Sequence, residues 1–279
     1  AGCITKGRTG EELAEMALMQ EAGAVAFTDD GDGVASTAVM HRALQYAGMI
    51  GAPLLQHCQD PALFGGAMHS GATAVRLGLR GIAASGEEIM LRRDLELLGR
   101  TRGRYHVMHV SSAGSVELIR QAKAAGLAVT AEATPHHLLL TDAACMGFDS
   151  NYKMNPPLRS ADDVEALRAG VADGTIDCLA SDHAPHAAEQ KELEFALAPF
   201  GVISLDCALG LYARALVDTR LLDWPALIER MTAGAARVFG RPIGRLQVGQ
   251  PADVTVIDPK KRWTVRTDHF ASKSRNCPY

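Results

Sequence analysis

Tyr105-His106-Val107-Met108-His109-Val110-Ser111-Ser112 is an apolar run that closes on metal-competent and hydroxyl side chains, and a helix-period stretch from Ser115 to Ala125 follows it. Three further segments share that form: Ala24 to Asp30, Pro53 to Asp60 and Ile176 to His183. A fifth apolar run, Ala128 to His137, lies between the last two. Helices are expected between them at Gly10 to Glu21, Thr37 to Ala47 and Ala161 to Ala172, the first with Thr9 and Glu12 at capping-box spacing. Near-continuous apolar strands alternating with helices imply a parallel sheet covered by helices. Polar residues gathered where each strand ends mark the functional face of a TIM-type (β/α)8 barrel. An open doubly wound sheet is the competing α/β arrangement, but no GxGxxG or phosphate-type glycine loop follows any of these strands.

Composition sets the outer bounds. The chain has 279 residues, 47% hydrophobic and 22% charged, enough apolar material for one large core. A net charge of -4 and the lack of a Lys/Arg-rich run argue against a nucleic-acid partner. The six cysteines (Cys3, Cys58, Cys145, Cys178, Cys207 and Cys277) are scattered without a CxxC pair, which fits a reducing, cytoplasmic setting. Charged or polar residues interrupt every apolar run, so no membrane partner is expected. After Gly240 the character changes: Gly244 to Asp253 and Val254 to Asp258 read as two short strands, with Arg262 to Arg266 as a third. The expected division is a barrel over 1–240 and part of a small β domain over 241–279.

Asp30, His57, His109 and Asp182 each close a different strand, so a barrel would bring them to one mouth from far apart in sequence. Neutral imidazoles and carboxylates held rigidly there are what a hydrolytic metal site needs. Blander readings compete. Asp29-Asp30 could form only the turn into Gly31-Asp32-Gly33, and Asp182 could cap the next helix. A lone histidine is more often a hydrogen-bonded core or surface residue than a ligand. His106, His136, His137 and His183 are read as structural supports beside the ligands. In Ser181-Asp182-His183-Ala184-Pro185-His186, the carboxylate could bind metal and move a proton while His186 reaches substrate, or the run could be a helix start with Pro185 in its first turn.

Phe27 to Gly31, His57-Cys58-Gln59-Asp60, His109 to Ser112, Thr134-Pro135-His136-His137, Lys153 to Arg159 and Asp182 to His186 occur in the order and approximate spacing of bacterial dihydroorotases. From Cys3 to Asn276 the chain resembles that family of the amidohydrolase superfamily, and Ala198 to Gly201 and Pro251 to Asp258 share the likeness. The resemblance implies a zinc-dependent, reversible hydrolysis of dihydroorotate to N-carbamoyl-aspartate in pyrimidine biosynthesis. It makes Asp30 a carboxylate shared by two zinc ions, with His57 and His109 completing one of them and Asp182 binding the other while transferring the proton. It also makes Asn155 and His186 substrate ligands, with the backbone of Phe200 and Gly201 against the ring; Arg159 is read as a structural ion pair instead. Hydantoin- and allantoin-opening relatives place a carbamylated lysine where Asp30 stands here, which favours dihydroorotase.

The likeness also has gaps. The family's opening His-x-His with its Arg, and a second-strand substrate Asn, have no match, since no histidine precedes His41. The chain is therefore expected to be an incomplete sequence lacking the first barrel strands and the end of its C-terminal segment. One of the two zinc sites is then half present, and residues 1–279 alone are expected to be inactive. The alternatives are an inactive dihydroorotase-like scaffold subunit of aspartate carbamoyltransferase, or another cyclic amidohydrolase. The small-molecule substrate is the expected partner, and an aspartate carbamoyltransferase and a second copy of the chain are the candidate macromolecular ones, between which the sequence does not decide.

Overall fold

All five apolar runs are strands, and all five lie parallel. The computed structural model describes residues 1–241, 243 and 246–279. In chain order the elements are α1 (Met16–Glu21), β1 (Phe27–Thr28), α2 (Thr37–Ile50), β2 (Pro53–Gln56), β3 (Met68–His69), α3 (Ala72–Leu77), β4 (Gly81–Ile82), α4 (Ser85–Leu98), β5 (Arg104–Val107), α5 (Ala113–Ala124) and β6 (Val129–Ala133). They continue with α6 (Pro135–Leu139), α7 (Ala161–Asp173), β7 (Cys178–Leu179), α8 (Ala188–Lys191), α9 (Ala208–Tyr212), α10 (Trp224–Met231) and α11 (Ala233–Val238). The main sheet runs β1-β2-β5-β6-β7, and β3 and β4 form a separate two-stranded sheet. A parallel bridge between Gly2 and Phe27 adds the stub of a further strand beyond β1. Parallel strands feeding helices of one layer form an arc of a (β/α) barrel. Among the described residues, no pairing joins β7 to the Gly2 segment.

The connections explain why the helices start where they do. Ser36 accepts from Val39 N to cap α2, which ends at Gly51 in the left-handed region (φ 67°). Ser112 caps α5 through Ser115 N, and Ser160 and Asp163 form a reciprocal capping box on α7. The core fills the layer between sheet and helices, with Met40, Leu44, Leu54, Leu91, Tyr105, Ile119 and Leu167 buried to 1% exposure or less. Each such side chain contributes about 1.5–3 kcal/mol relative to exposure. A smaller cluster of Met68, Met154, Leu158, Phe195 and Val202 lies under the loops. No helix among the described residues is long and apolar enough to cross a membrane.

Two expectations need correction. The helix expected from Gly10 begins only at Met16, because residues 10–15 are drawn back along the preceding segment: Ala14 N donates to Ile4 O and Lys6 N to Glu12 O, with a Thr5–Leu13 bridge. Thr9 donates its hydroxyl to Lys6 O instead of capping, so a non-local pairing overrides the local helix signal. At the other end, Val254 to Asp258 and Arg262 to Arg266 form no strand, and Val254 and Val256 are exposed. A strand needs a paired neighbour, and none stands beside this segment among the described residues. Gly244 and Arg245, which open the expected Gly244 to Asp253 strand, lie outside the described residues.

Candidate metal centre

The ends of β1, β2 and β5 bring Asp30, His57 and His109 to one point. His57 Nδ1 lies 3.0 Å from His109 Nε2, and Asp30 Oδ1 is 3.4 Å from each of these nitrogens. Atoms held about 2.1 Å from a tetrahedral ion stand about 3.4 Å apart, so three donors converge at the separation a cation requires. Both histidines are buried, whereas the Asp30 side chain is 43% exposed and opens the cluster to solvent. His57 Nε2 donates to Gln59 Oε1 at 3.2 Å, a contact that fixes the ring with Nδ1 facing the cluster. Neighbouring Asp29 is wholly buried and accepts from the backbone N–H groups of Ile4 and Thr5. The Asp29-Asp30 pair is thus split: one carboxylate builds the loop and the other faces the mouth.

The electrostatics fit a cation as well. Burial alone would raise the Asp30 carboxyl, but hydrogen bonds to His109 and His57 outweigh it and hold it well below the usual carboxylate range. Burial opposes a charged His109, yet Asp30, together with the charges of Asp182 and Glu132, lifts its imidazole to about 9. Three carboxylates therefore bear on one imidazole, a negative field that a divalent ion would neutralise. His109 and Asp182 also adopt positive φ (32° and 46°), a region costing non-glycine residues on the order of 1–3 kcal/mol. Such strain, held by the surroundings at two strand ends, is characteristic of sites.

Asp182 lies on the same mouth but outside the three-donor group; its Oδ2 is 3.8 Å from His136 Nε2. Burial raises its carboxyl, with the charge of His109 opposing and those of Asp30 and Glu132 adding. His136 is fully buried, and neither ring nitrogen has a hydrogen-bond partner among the described residues. His106, His137 and His183 are each held by other groups. His106 contacts Thr130 Oγ1 at 2.8 Å and Glu132 Oε2 at 3.1 Å, while Glu132 Oε1 accepts from His109 N. His137 donates to Pro156 O at 3.0 Å, and His183 Nδ1 accepts from Leu205 N. Arg159 is buried against Ile82 O, Ser111 Oγ and, at 3.8 Å, Glu87, as the ion-pair reading expects.

The substrate candidates fall into two groups. Asn155 touches the cluster, its Nδ2 lying 3.1 Å from His57 Nε2 and donating to Gln59 Oε1 at 2.7 Å. His186, Phe200 and Gly201 meet each other instead: His186 Nε2 donates to Phe200 O at 2.7 Å, and a Cβ on Gly201 would stand 2.6 Å from that ring. Gly201 N donates to Lys153 O, two residues before Asn155, and this joins the groups. Sequence reasoning missed Asn276, whose Nδ2 donates to Ala184 O and Gly201 O while its Oδ1 accepts from His186 N. It straps the His186 loop to the Phe200 loop. Its signal is only an asparagine in an irregular segment, which no periodicity picks out.

A family model described as Dihydro-orotase-like matches residues 1–115. A dihydroorotase of Pelotomaculum thermopropionicum is 53% identical over 279 residues, covering 100% of this chain and 65% of its own length. A dihydroorotase of Anaeromyxobacter dehalogenans is 50% identical over 281 residues, with the same two coverages, 100% and 65%. The chain thus spans about 65% of the length of these relatives. Among solved structures, an L-hydantoinase (dihydropyrimidinase) from Arthrobacter aurescens superposes with a TM-score of 0.78 at 28% identity, over 90% of this chain and 58% of that one. A D-hydantoinase from Thermus sp. has a TM-score of 0.77 at 23% identity, over 96% and 61%, and supports the barrel fold alone.

Proposed function

On its likeness to dihydroorotases along its whole length, we propose that the chain carries the catalytic face of a zinc-dependent dihydroorotase. The observation that supports this most is the convergence of Asp30 Oδ1, His57 Nδ1 and His109 Nε2 within 3.4 Å at the open end of the sheet. These three residues would hold one zinc ion, and Asp182 would contribute to a second. Bound there, zinc supplies Lewis acidity toward the amide carbonyl and lowers the pKa of the attacking water.

The chain's own groups do the rest. In the hydrolytic direction, water adds across the ring amide: a C–O bond forms at the carbonyl carbon, the C–N bond breaks, and the nitrogen takes a proton. Asp182 would accept the proton from water and deliver it to that nitrogen; burial and neighbouring carboxylates, which keep its carboxyl easier to protonate than a free aspartate, support that role. Asn155 would orient the substrate carboxylate beside His57. The His186–Phe200–Gly201 group would line the ring through backbone atoms, with His186 Nδ1 as the free side-chain acceptor because Nε2 is held by Phe200 O. In reverse, N-carbamoyl-aspartate closes to dihydroorotate, which would place the protein in pyrimidine biosynthesis. The division into a barrel over 1–240 and a second unit from 241 is part of the same proposal.

The test uses the zinc-loaded full-length gene product. It should interconvert dihydroorotate and N-carbamoyl-aspartate, followed as ring opening and closure. Turnover confined to hydantoin or allantoin would overturn the substrate assignment, and zinc binding with no amide turnover at all would favour a scaffold.

A further inference from the structure

The inward stripe of α4 runs Met90, Leu91, Asp94, Leu95, Leu98, so a carboxylate with 0% exposure sits where the helix period calls for an apolar residue. Its oxygens are fully engaged. Oδ2 accepts from Tyr105 OH at 2.7 Å and Gln56 Nε2 at 3.3 Å, and Oδ1 takes the Arg93 guanidinium at 2.9 and 2.7 Å. A buried ion pair of this kind is seldom more stabilising than a well-packed apolar replacement, so its presence calls for a role other than stability.

Each partner leads to one strand end of the metal cluster. Arg93 donates onward to Val34 O at 2.7 Å and to Ala35 O, which holds the loop that leaves Asp30. Gln56 precedes His57 and accepts from Val34 N at 3.2 Å, while Cys58, which follows His57, meets Tyr105 OH at 3.3 Å. Tyr105 itself lies on β5, four residues before His109. The Asp30 loop presses directly on the His57 backbone: Gly33 has φ 67°, and a Cβ there would stand 2.7 Å from His57 O. Spacing between these segments is thus tight, and one side chain touches the partners of all three.

We propose that Asp94 is a positioning residue that, through Arg93, Gln56 and Tyr105, sets the separation of Asp30, His57 and His109; this rests on the metal-site reading above. Groups hydrogen-bonded directly to an ion ligand are worth about 10–100-fold in metal affinity, and Asp94, which acts one contact further out, should be worth no more than about 10-fold. Asp94 keeps the donors close to the spacing an ion needs before the ion arrives, so its loss is read as weaker binding by a protein that still folds.

The experiment measures metal affinity by chelator competition, and coordination by the visible spectrum of the cobalt-substituted full-length protein. Asp94→Asn should bind about 3- to 10-fold more weakly with an altered cobalt spectrum. Leu227→Ala, which cavitates the core at a fully buried α10 position away from the site, should lower thermal stability and leave affinity unchanged. Should Asp94→Asn fail to fold, Arg93→Lys keeps the charge, loses the fork onto Val34 and Ala35, and should weaken binding in the same direction. Wild-type affinity in a folded Asp94→Asn or Arg93→Lys overturns the inference, as does an equal loss in Leu227→Ala. Failure of the metal reading looks different: the unaltered protein would bind no ion, or Asp30→Ala would bind it as well as the wild type.

Discussion

Two groups in the same sheet carry metal-competent side chains, Asp30–His57–His109 and His106–Glu132–Cys178, and each set of donor atoms lies within 4.8 Å. They differ in what their polar atoms already hold. In the first, donors face one another, and one N–H at most can be shared across the 3.0 Å contact between imidazoles. In the second, both His106 nitrogens are committed to Thr130 and Glu132, and the remaining Glu132 oxygen takes the His109 N–H. The Cys178 thiol is pushed far up by burial, with the charges of Glu132 and Asp177 adding, so an ion binding there would have to displace its proton at a cost. Residue type alone makes these groups alike. Unmet hydrogen-bonding capacity and an open side separate a site from a support.

Substitutions can break or sharpen that distinction. The largest effect is expected from Asp30→Ala, which should weaken ion binding by more than roughly 100-fold in chelator competition, beyond the loss of an outer partner, and abolish turnover. Asp182→Asn should separate proton transfer from binding: turnover falls about 10²- to 10⁴-fold while affinity at the Asp30 group is retained. If its affinity collapses too, the two sides of the mouth are one site. Glu132→Gln removes the partner that His106 and His109 N share, and about 10-fold weaker binding is expected. Cys178→Ala should change stability by about 1 kcal/mol in denaturant titration and leave metal content untouched. A fall in bound metal there would mean that the second group is a site after all.

The strands and their polar ends were legible because each carries its own apolar run and terminates in a side chain unlike the run. Asp30, His57 and His109, which the fold brings together, were singled out that way; Asn155 and His186 were singled out through the family likeness, and their substrate roles belong to the proposal. What stayed hidden is non-local. The first turns of the helix expected from Gly10 yield to backbone pairing with Ile4 and Lys6, residues already behind them in the chain. β3 and β4, two residues each, are too short to carry a period. Asp94 was in principle detectable as a carboxylate on an apolar helix stripe, but its partners come from β2, β5 and a loop, and only the fold brings them together.

The central claim is that the Asp30 group holds the ion and the Cys178 group does not. Anomalous diffraction at the zinc edge, from crystals of the full-length gene product grown with zinc, addresses it directly. The account predicts a peak bounded by Asp30 Oδ1, His57 Nδ1 and His109 Nε2. An empty Asp30 group with the peak between His106, Glu132 and Cys178 would contradict it.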